Sequence, residues 1–388
     1  MNKTLVVGNY ADSVFVADIA HHLGQKENYQ DLIALKTFHN SEFCPRYIFG
    51  DREDKNMIGR RLEGQKVLIV STSSPRMNRN ELAMHNLLIA RAARENGAER
   101  VSLLEPDLFF SAQDRGPRPE YGQTLFTRDS VDYEKFDGQP FSAKLYADLL
   151  REAGVNQVFT VHNHSPFSLR MLYQEHFDGM FVDLRPVDLY ADYLKSSDIV
   201  NLDDLIICAP DKGAHEFATQ LAEQFTEKPV GYLRMSKERR GEREVIVQPA
   251  TCSPLQLGDI EGKDIVVVDD MVRTGRTILE TCKVIRKAKP RKIIFLVTHF
   301  YSSREGRALL DDPVIDEIVT TNTIPAILNR DEQGRLRHKM VVLRISRWIA
   351  HNLFMNLQPE SGGLKMPHFV EDISSKNPRW KGKYGAHH

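Results

Sequence analysis

The sequence predicts an α/β chain made of two doubly wound, parallel-sheet domains. Three observations carry that prediction. Short unbroken runs of Val, Ile and Leu recur along the chain, as expected of strands buried on both faces. Stretches with apolar residues at helical spacing separate these runs. The alternation occurs in two series, and 388 residues suffice for two ordinary cores.

In the first series a strand at 5–7 precedes helical spacing over 14–23. A strand at 67–70 leads to a helix at 81–96, whose apolar side carries Leu82, Leu87, Leu88 and Ala92. A strand at 101–104, a helix at 141–153 and a strand at 155–161 follow. The stretch 115–139 is polar and rich in Gly, Pro and Asp, and is expected to be a long loop or insertion. The second series has strands at 205–208, 265–268 and 293–297, with helices near 214–225 and 277–287. The expected organisation is a domain at 1–165, a second at 166–356, and a tail at 357–388.

Composition limits the function. The net charge is −1, so no global field draws the chain to nucleic acid or an anionic membrane, and any anion site must be local. Cys44, Cys208, Cys252 and Cys282 are scattered without a paired spacing, which favours reduced thiols in a cytoplasmic protein over a disulfide frame. The apolar run before Gly8 is too short for a signal peptide, and no stretch approaches the ~20 residues that span a bilayer.

The segment at 265–278, IVVVDDMVRTGRTI, carries the most chemistry. A buried type of strand ends in Asp269 and Asp270, and a turn with Thr274, Gly275 and Thr277 opens a helix. Open α/β sheets bind ligands at the carboxyl ends of their strands. Gly275 allows close backbone approach to an anion, and free N–H groups at a helix start cradle phosphate. Two carboxylates repel a phosphate, but they accept hydrogen bonds from ribose hydroxyls or hold a hydrated Mg²⁺. The whole string suits a ribose phosphate. The Asp pair alone would equally suit an acidic strand end before an ordinary helix.

This string resembles the phosphoribosyl pyrophosphate (PRPP) motif shared by type I phosphoribosyltransferases and ribose-phosphate pyrophosphokinases. Further stretches resemble the second family, in its order, over residues 4–355. They are STSSP at 71–75 with the helix after it, FSAKL at 141–145, DLYA at 188–191, APDKG at 209–213, TTNTIP at 320–325 and VVLRISRW at 341–348. A phosphoribosyltransferase has no need of the first domain. The resemblance therefore implies two phosphoribosyltransferase-like domains with the site between them. It also implies a diphosphokinase making PRPP and AMP from ATP and ribose 5-phosphate with Mg²⁺, for nucleotide biosynthesis.

The resemblance also assigns residues. Asp269 and Asp270 take the ribose hydroxyls, and Thr274, Gly275 and Thr277 take the 5-phosphate. Asp211 lies by substrate and metal. Lys237 and Arg239 (or Arg240) belong to a catalytic flexible loop, where cations stabilise the transferring phosphates and exclude water. Phe38, Asn40 and Glu42 hold adenine from a neighbouring subunit, and Gln113 and Asp114 lie at the ATP. His164 corresponds to a metal-linked histidine. His162 and His164, at strand spacing, are expected to face one side. A homo-oligomer follows, dimeric or hexameric.

Several residues depart from the family pattern. Ala112 stands where the family has an Arg, Asn40 where it has an Asp, and His162 where it has an Asp. Arg273 and Arg276 replace small or acidic residues in the phosphate loop. These departures motivate two alternatives, a diphosphokinase for a modified ribose phosphate and a non-catalytic regulator of a true synthetase.

Overall fold

The computed structural model describes residues 4–50, 53–124, 126–177, 180–240, 244–357 and 369–374; of residues 166, 237–240 and 244–246 it describes the backbone. The chain divides into two compact units, Met1–Arg185 with Ser346–Gly362, and Pro186–Ile345 with Gly363–His388.

The first unit begins with β1 (Thr4–Gly8) and α1 (Val14–His22), followed by a hairpin of β2 (Ile33–Thr37) and β3 (Phe43–Tyr47). Then come β4 (Lys66–Val70), α2 (Arg79–Glu95), β5 (Arg100–Leu104), α3 (Ser130–Glu134), α4 (Ser142–Glu152), β6 (Gln157–Val161), α5 (Pro166–His176) and β7 (Phe181–Leu184). The order β1-β4-β5-β6-β7 is parallel throughout. Strand side chains alternate between faces, and Val7, Ile69, Leu103 and Val158 meet Leu82 and Ile89 of α2, Leu150 of α4 and Tyr173 of α5 in one core. Each such aliphatic side chain, fully buried, contributes roughly 1.5–3 kcal/mol. A reciprocal capping box of Asn78 and Glu81 sets the start of α2.

The second unit runs α6 (Val187–Ser196), β8 (Leu205–Ala209), α7 (His215–Glu223), β9 (Gly231–Arg240), β10 (Glu244–Pro249), β11 (Asp264–Val272), α8 (Arg276–Lys287), β12 (Lys292–Phe300), α9 (Arg304–Leu310), β13 (Glu317–Thr321), α10 (Arg330–Gln333) and β14 (Met340–Leu343). Its strand order is β10-β9-β8-β11-β12-β13-β14. The chain leaves β8 on one side for β9 and β10, then returns on the other side as β11, which makes a topological switch point between β8 and β11. The last helix, α11 (Ser346–Leu357), returns to the first unit beside α1, where Ser346 Oγ donates to Asp18 Oδ2 at 3.3 Å.

Four features differ from the sequence expectation. The first sheet continues past residue 165, because β7 pairs with β6. The stretch 115–139 is not simply a loop: it holds α3, fastened where Arg128 Nε meets Asp132 Oδ2 at 2.6 Å and Arg115 meets Asp132 Oδ1 at 2.8 Å. The segment at 231–249, expected to include a loop, pairs as the antiparallel strands β9 and β10. Part of the supposed tail packs as well. Phe369 and Val370 are buried, Asp372 bridges Leu343 at the free edge of β14, and Ile373 N donates to Val342 O at 2.9 Å.

Candidate active site

The carboxyl ends of β8 and β11 adjoin at the switch point, where open α/β sheets bind ligands. Asp211 follows β8, and its Oδ1 accepts from the Gly213 and Ala214 amides at 2.9 and 3.4 Å, fixing the turn into α7. Asp269 and Asp270 lie in β11, with Asp270 N donating to Asp269 Oδ1 at 3.0 Å. Burial, then the negative charges of Asp270 and Asp211, push the Asp269 carboxyl well above its ordinary range. A buried carboxyl beside two more acidic side chains suits hydrogen-bond donors or a cation rather than a phosphate.

The turn expected from the sequence to take a phosphate comes next. Gly275 sits at φ +78°, and a Cβ there would lie 2.8 Å from Leu310 Cγ. Both facts call for glycine. No side chain caps α8, so the amides that begin it keep their anion-binding capacity. Thr274 is exposed and Thr277 half-buried in the first turn. Arg273 and Arg276 flank the turn; Arg276 pairs with Glu305 at 3.3 Å, and Arg273 lies 6.0 Å from the Tyr301 ring.

Lys237 and Arg239 lie on the backbone of β9, opposite Val247 and Val245 of β10; their side chains fall outside the described residues. The hairpin base is tied to α7 where His215 Nε2 donates to Met235 O at 3.2 Å. Burial lowers the His215 pKa, which favours a neutral imidazole there. No sequence motif pointed to this histidine.

In the first unit, Phe38 stands at the β2–β3 hairpin tip, 43% exposed, with Lys36 Nζ 4.8 Å from its ring centroid. Phe38 N donates to Glu42 O at 2.8 Å, and Asn40 Oδ1 accepts from Glu42 N at 3.2 Å, so Asn40 shapes the loop while the Glu42 side chain is exposed. Gln113 is exposed, whereas Asp114 is buried against Arg115 at 3.3 Å. The two histidines do not face one side. β6 ends at Val161, and His162 turns to φ +47° and is buried while His164 is exposed. The period-2 argument fails because the strand has already ended.

His164 and Asp211, both expected at a metal, belong to different units. Among the described residues no three His, Cys, Asp or Glu side chains form a ligand set.

A phosphoribosyl transferase domain model matches residues 189–332, which include both the switch point and the Gly275 turn. Ribose-phosphate pyrophosphokinase of Corynebacterium efficiens is 27% identical over 63% of this chain and 66% of its own length. That of Helicobacter hepaticus is 26% identical over 79% of this chain and 88% of its own. The chain thus spans about two thirds of the first relative and more of the second. The crystal structure of phosphoribosylpyrophosphate synthetase from Mycobacterium smegmatis shares the fold, with TM-score 0.70, 21% identity, and coverage of 92% of this chain and all of that one. The chain is thus similar to ribose-phosphate pyrophosphokinases, at 26–27% identity to these two. The first unit carries a second polar centre that sequence reasoning missed. At the carboxyl end of β5, buried Glu105 accepts from Ser71 Oγ at 2.7 Å, Asn86 Nδ2 at 2.9 Å, Tyr146 Oη at 3.2 Å and Phe109 N at 2.8 Å. The nearby Arg79–Asp107 ion pair was missed as well. Glu105 and Asp107 fall within an apolar-looking stretch, and Ser71, Asn86 and Tyr146 are far apart in sequence.

Proposed function

We propose that this protein is a ribose-phosphate diphosphokinase, converting ATP and ribose 5-phosphate to AMP and PRPP. The observation that carries the reading is the pairing of Asp211, Asp269 and Asp270 at the switch point with the Gly275 turn and the uncapped start of α8. The α8 amides and Thr277 hold the 5-phosphate, and the aspartates accept from the ribose hydroxyls. The anomeric oxygen attacks the β-phosphorus of ATP. The bond from that phosphorus to the oxygen bridging the α-phosphate breaks, AMP leaves, and the hydroxyl proton passes to solvent. Lys237 and Arg239 neutralise the transferring group, and the hairpin of β9 and β10 excludes water.

Mg²⁺ suits the carboxylate oxygens at this edge, and when bound it neutralises the phosphates. The first unit is the ATP side, with Gln113 and His164 at the carboxyl edge of its sheet. Phe38 stacks on adenine in a neighbouring subunit, so the working form is a homo-oligomer. No described helix is long and apolar enough to cross a membrane, and we place the reaction in the cytoplasm.

The test mixes purified protein with ATP, Mg²⁺ and ribose 5-phosphate and follows AMP and PRPP by chromatography. Equal AMP and PRPP, reduced at least about a hundredfold by Lys237→Ala, is the expected outcome. Binding of ATP with no PRPP formed would exclude the reading.

A further inference from the structure

A nucleotide polyphosphate needs cations where it meets the protein, and the loop after β5 presents Ala112 beside Gln113. A guanidinium reaches this loop from another element. Arg79, the first residue of α2, pairs with Asp107 and lies with its guanidinium carbon 5.0 Å from the Phe109 ring centroid. Both contacts place it against the loop that leads to Gln113. Its position also runs against helix electrostatics, since a cation in the first turn opposes the macrodipole. The surroundings offset that: the carboxylate of Asp107 pairs with it and is buried, its side chain 6% exposed. The Arg79 side chain stays 31% exposed, so its contact with Asp107 does not close it off from solvent.

We propose that Arg79 is a phosphate-binding residue for ATP at the carboxyl edge of the first sheet, supplying from α2 the cation that position 112 lacks. The proposal rests on the reading of the first unit as the ATP side. The pair with Asp107 and the stacking on Phe109 orient the planar fork in advance, which lowers the entropy lost when phosphate oxygens arrive.

The experiment measures KM for ATP and for ribose 5-phosphate, direct binding of MgATP by calorimetry, and the unfolding temperature, in the wild-type protein, Arg79→Ala and Arg79→Lys. Loss of a charge-assisted contact is expected to weaken ATP binding about tenfold or more in Arg79→Ala. The KM for ribose 5-phosphate should stay within about twofold. Arg79→Lys keeps the charge but loses the fork, and should fall between the two. A folded Arg79→Ala with wild-type ATP affinity overturns the proposal, as does an equal rise in both KM values. Should Arg79→Ala fail to fold, Arg79→Lys decides, and wild-type ATP binding in that variant sinks the idea. A wild-type protein that makes no PRPP would count against the diphosphokinase reading instead, and calorimetry would still judge Arg79.

Discussion

Glu105 shows how a single residue couples stability to pH. Burial pushes its carboxyl up to about 7, against hydrogen bonds from Phe109 N and Ser71 that pull it down. The folded state therefore holds a proton that the unfolded chain, with a pKa near the ordinary 4.5, releases as pH rises. The sign follows from linkage: this contribution to stability is full below about 4.5 and is lost as pH climbs through about 7. Glu105→Gln cannot titrate. Its amide opposes the Phe109 N–H and costs roughly 1–3 kcal/mol at every pH. Between pH 5 and pH 8 the wild-type protein should lose stability relative to Glu105→Gln, by on the order of 2–3 kcal/mol. Urea unfolding of both proteins at the two pH values checks it, and a pH-independent difference would refute the shifted pKa.

At the scale of an element, the start of α8, which we propose holds the 5-phosphate, tolerates little change. Gly275→Ala would put a Cβ 2.8 Å from Leu310 Cγ in a residue already at φ +78°. The expected cost is about 2 kcal/mol. The displaced turn should raise the KM for ribose 5-phosphate about tenfold, since one lost phosphate contact is worth that much, and leave the KM for ATP nearly unchanged. Steady-state kinetics on each substrate, beside a thermal melt, tests both halves; unchanged values in both would mean the turn is not the cradle.

This element was legible in sequence because its signals are local: a Val/Ile run, two acids, then T-G-R-T. The central strands were legible for the same reason. The β2–β3 hairpin was not, since Pro45 and Arg46 interrupt any apolar alternation. Nor were β9 and β10, since the charged KERR at 237–240 resembles a solvated loop. The pairing of β9 with β10 on one side and β8 on the other supplies what propensity does not.

At the scale of the whole molecule, the chain crosses its own domain division. α11 follows the last strand of the second unit and packs in the first, and residues 369–374 then lie along β14. Such returns depend on contacts remote in sequence, so a linear division into 1–165 and 166–356 could not anticipate them. The hairpin tip raises a question of the same scale. Phe38 is a large apolar side chain held outward, with the turn around it built from Asn40 and the Glu42 backbone. An aromatic ring so placed gains by covering a partner surface, which we propose is the adenine bound to a neighbouring subunit. If so, Phe38→Ala and Lys237→Ala break the same site from different subunits. Each variant alone should be nearly inactive. Subunits exchanged in equal amounts should regain about a quarter of wild-type activity, because half of random dimers are mixed and one of the two sites in each is intact. Co-expression with two affinity tags, followed by the AMP assay, reads this directly. No recovery in a verified mixed assembly would place Phe38 and Lys237 in a site formed by one subunit, and the oligomer would no longer be required for ATP binding.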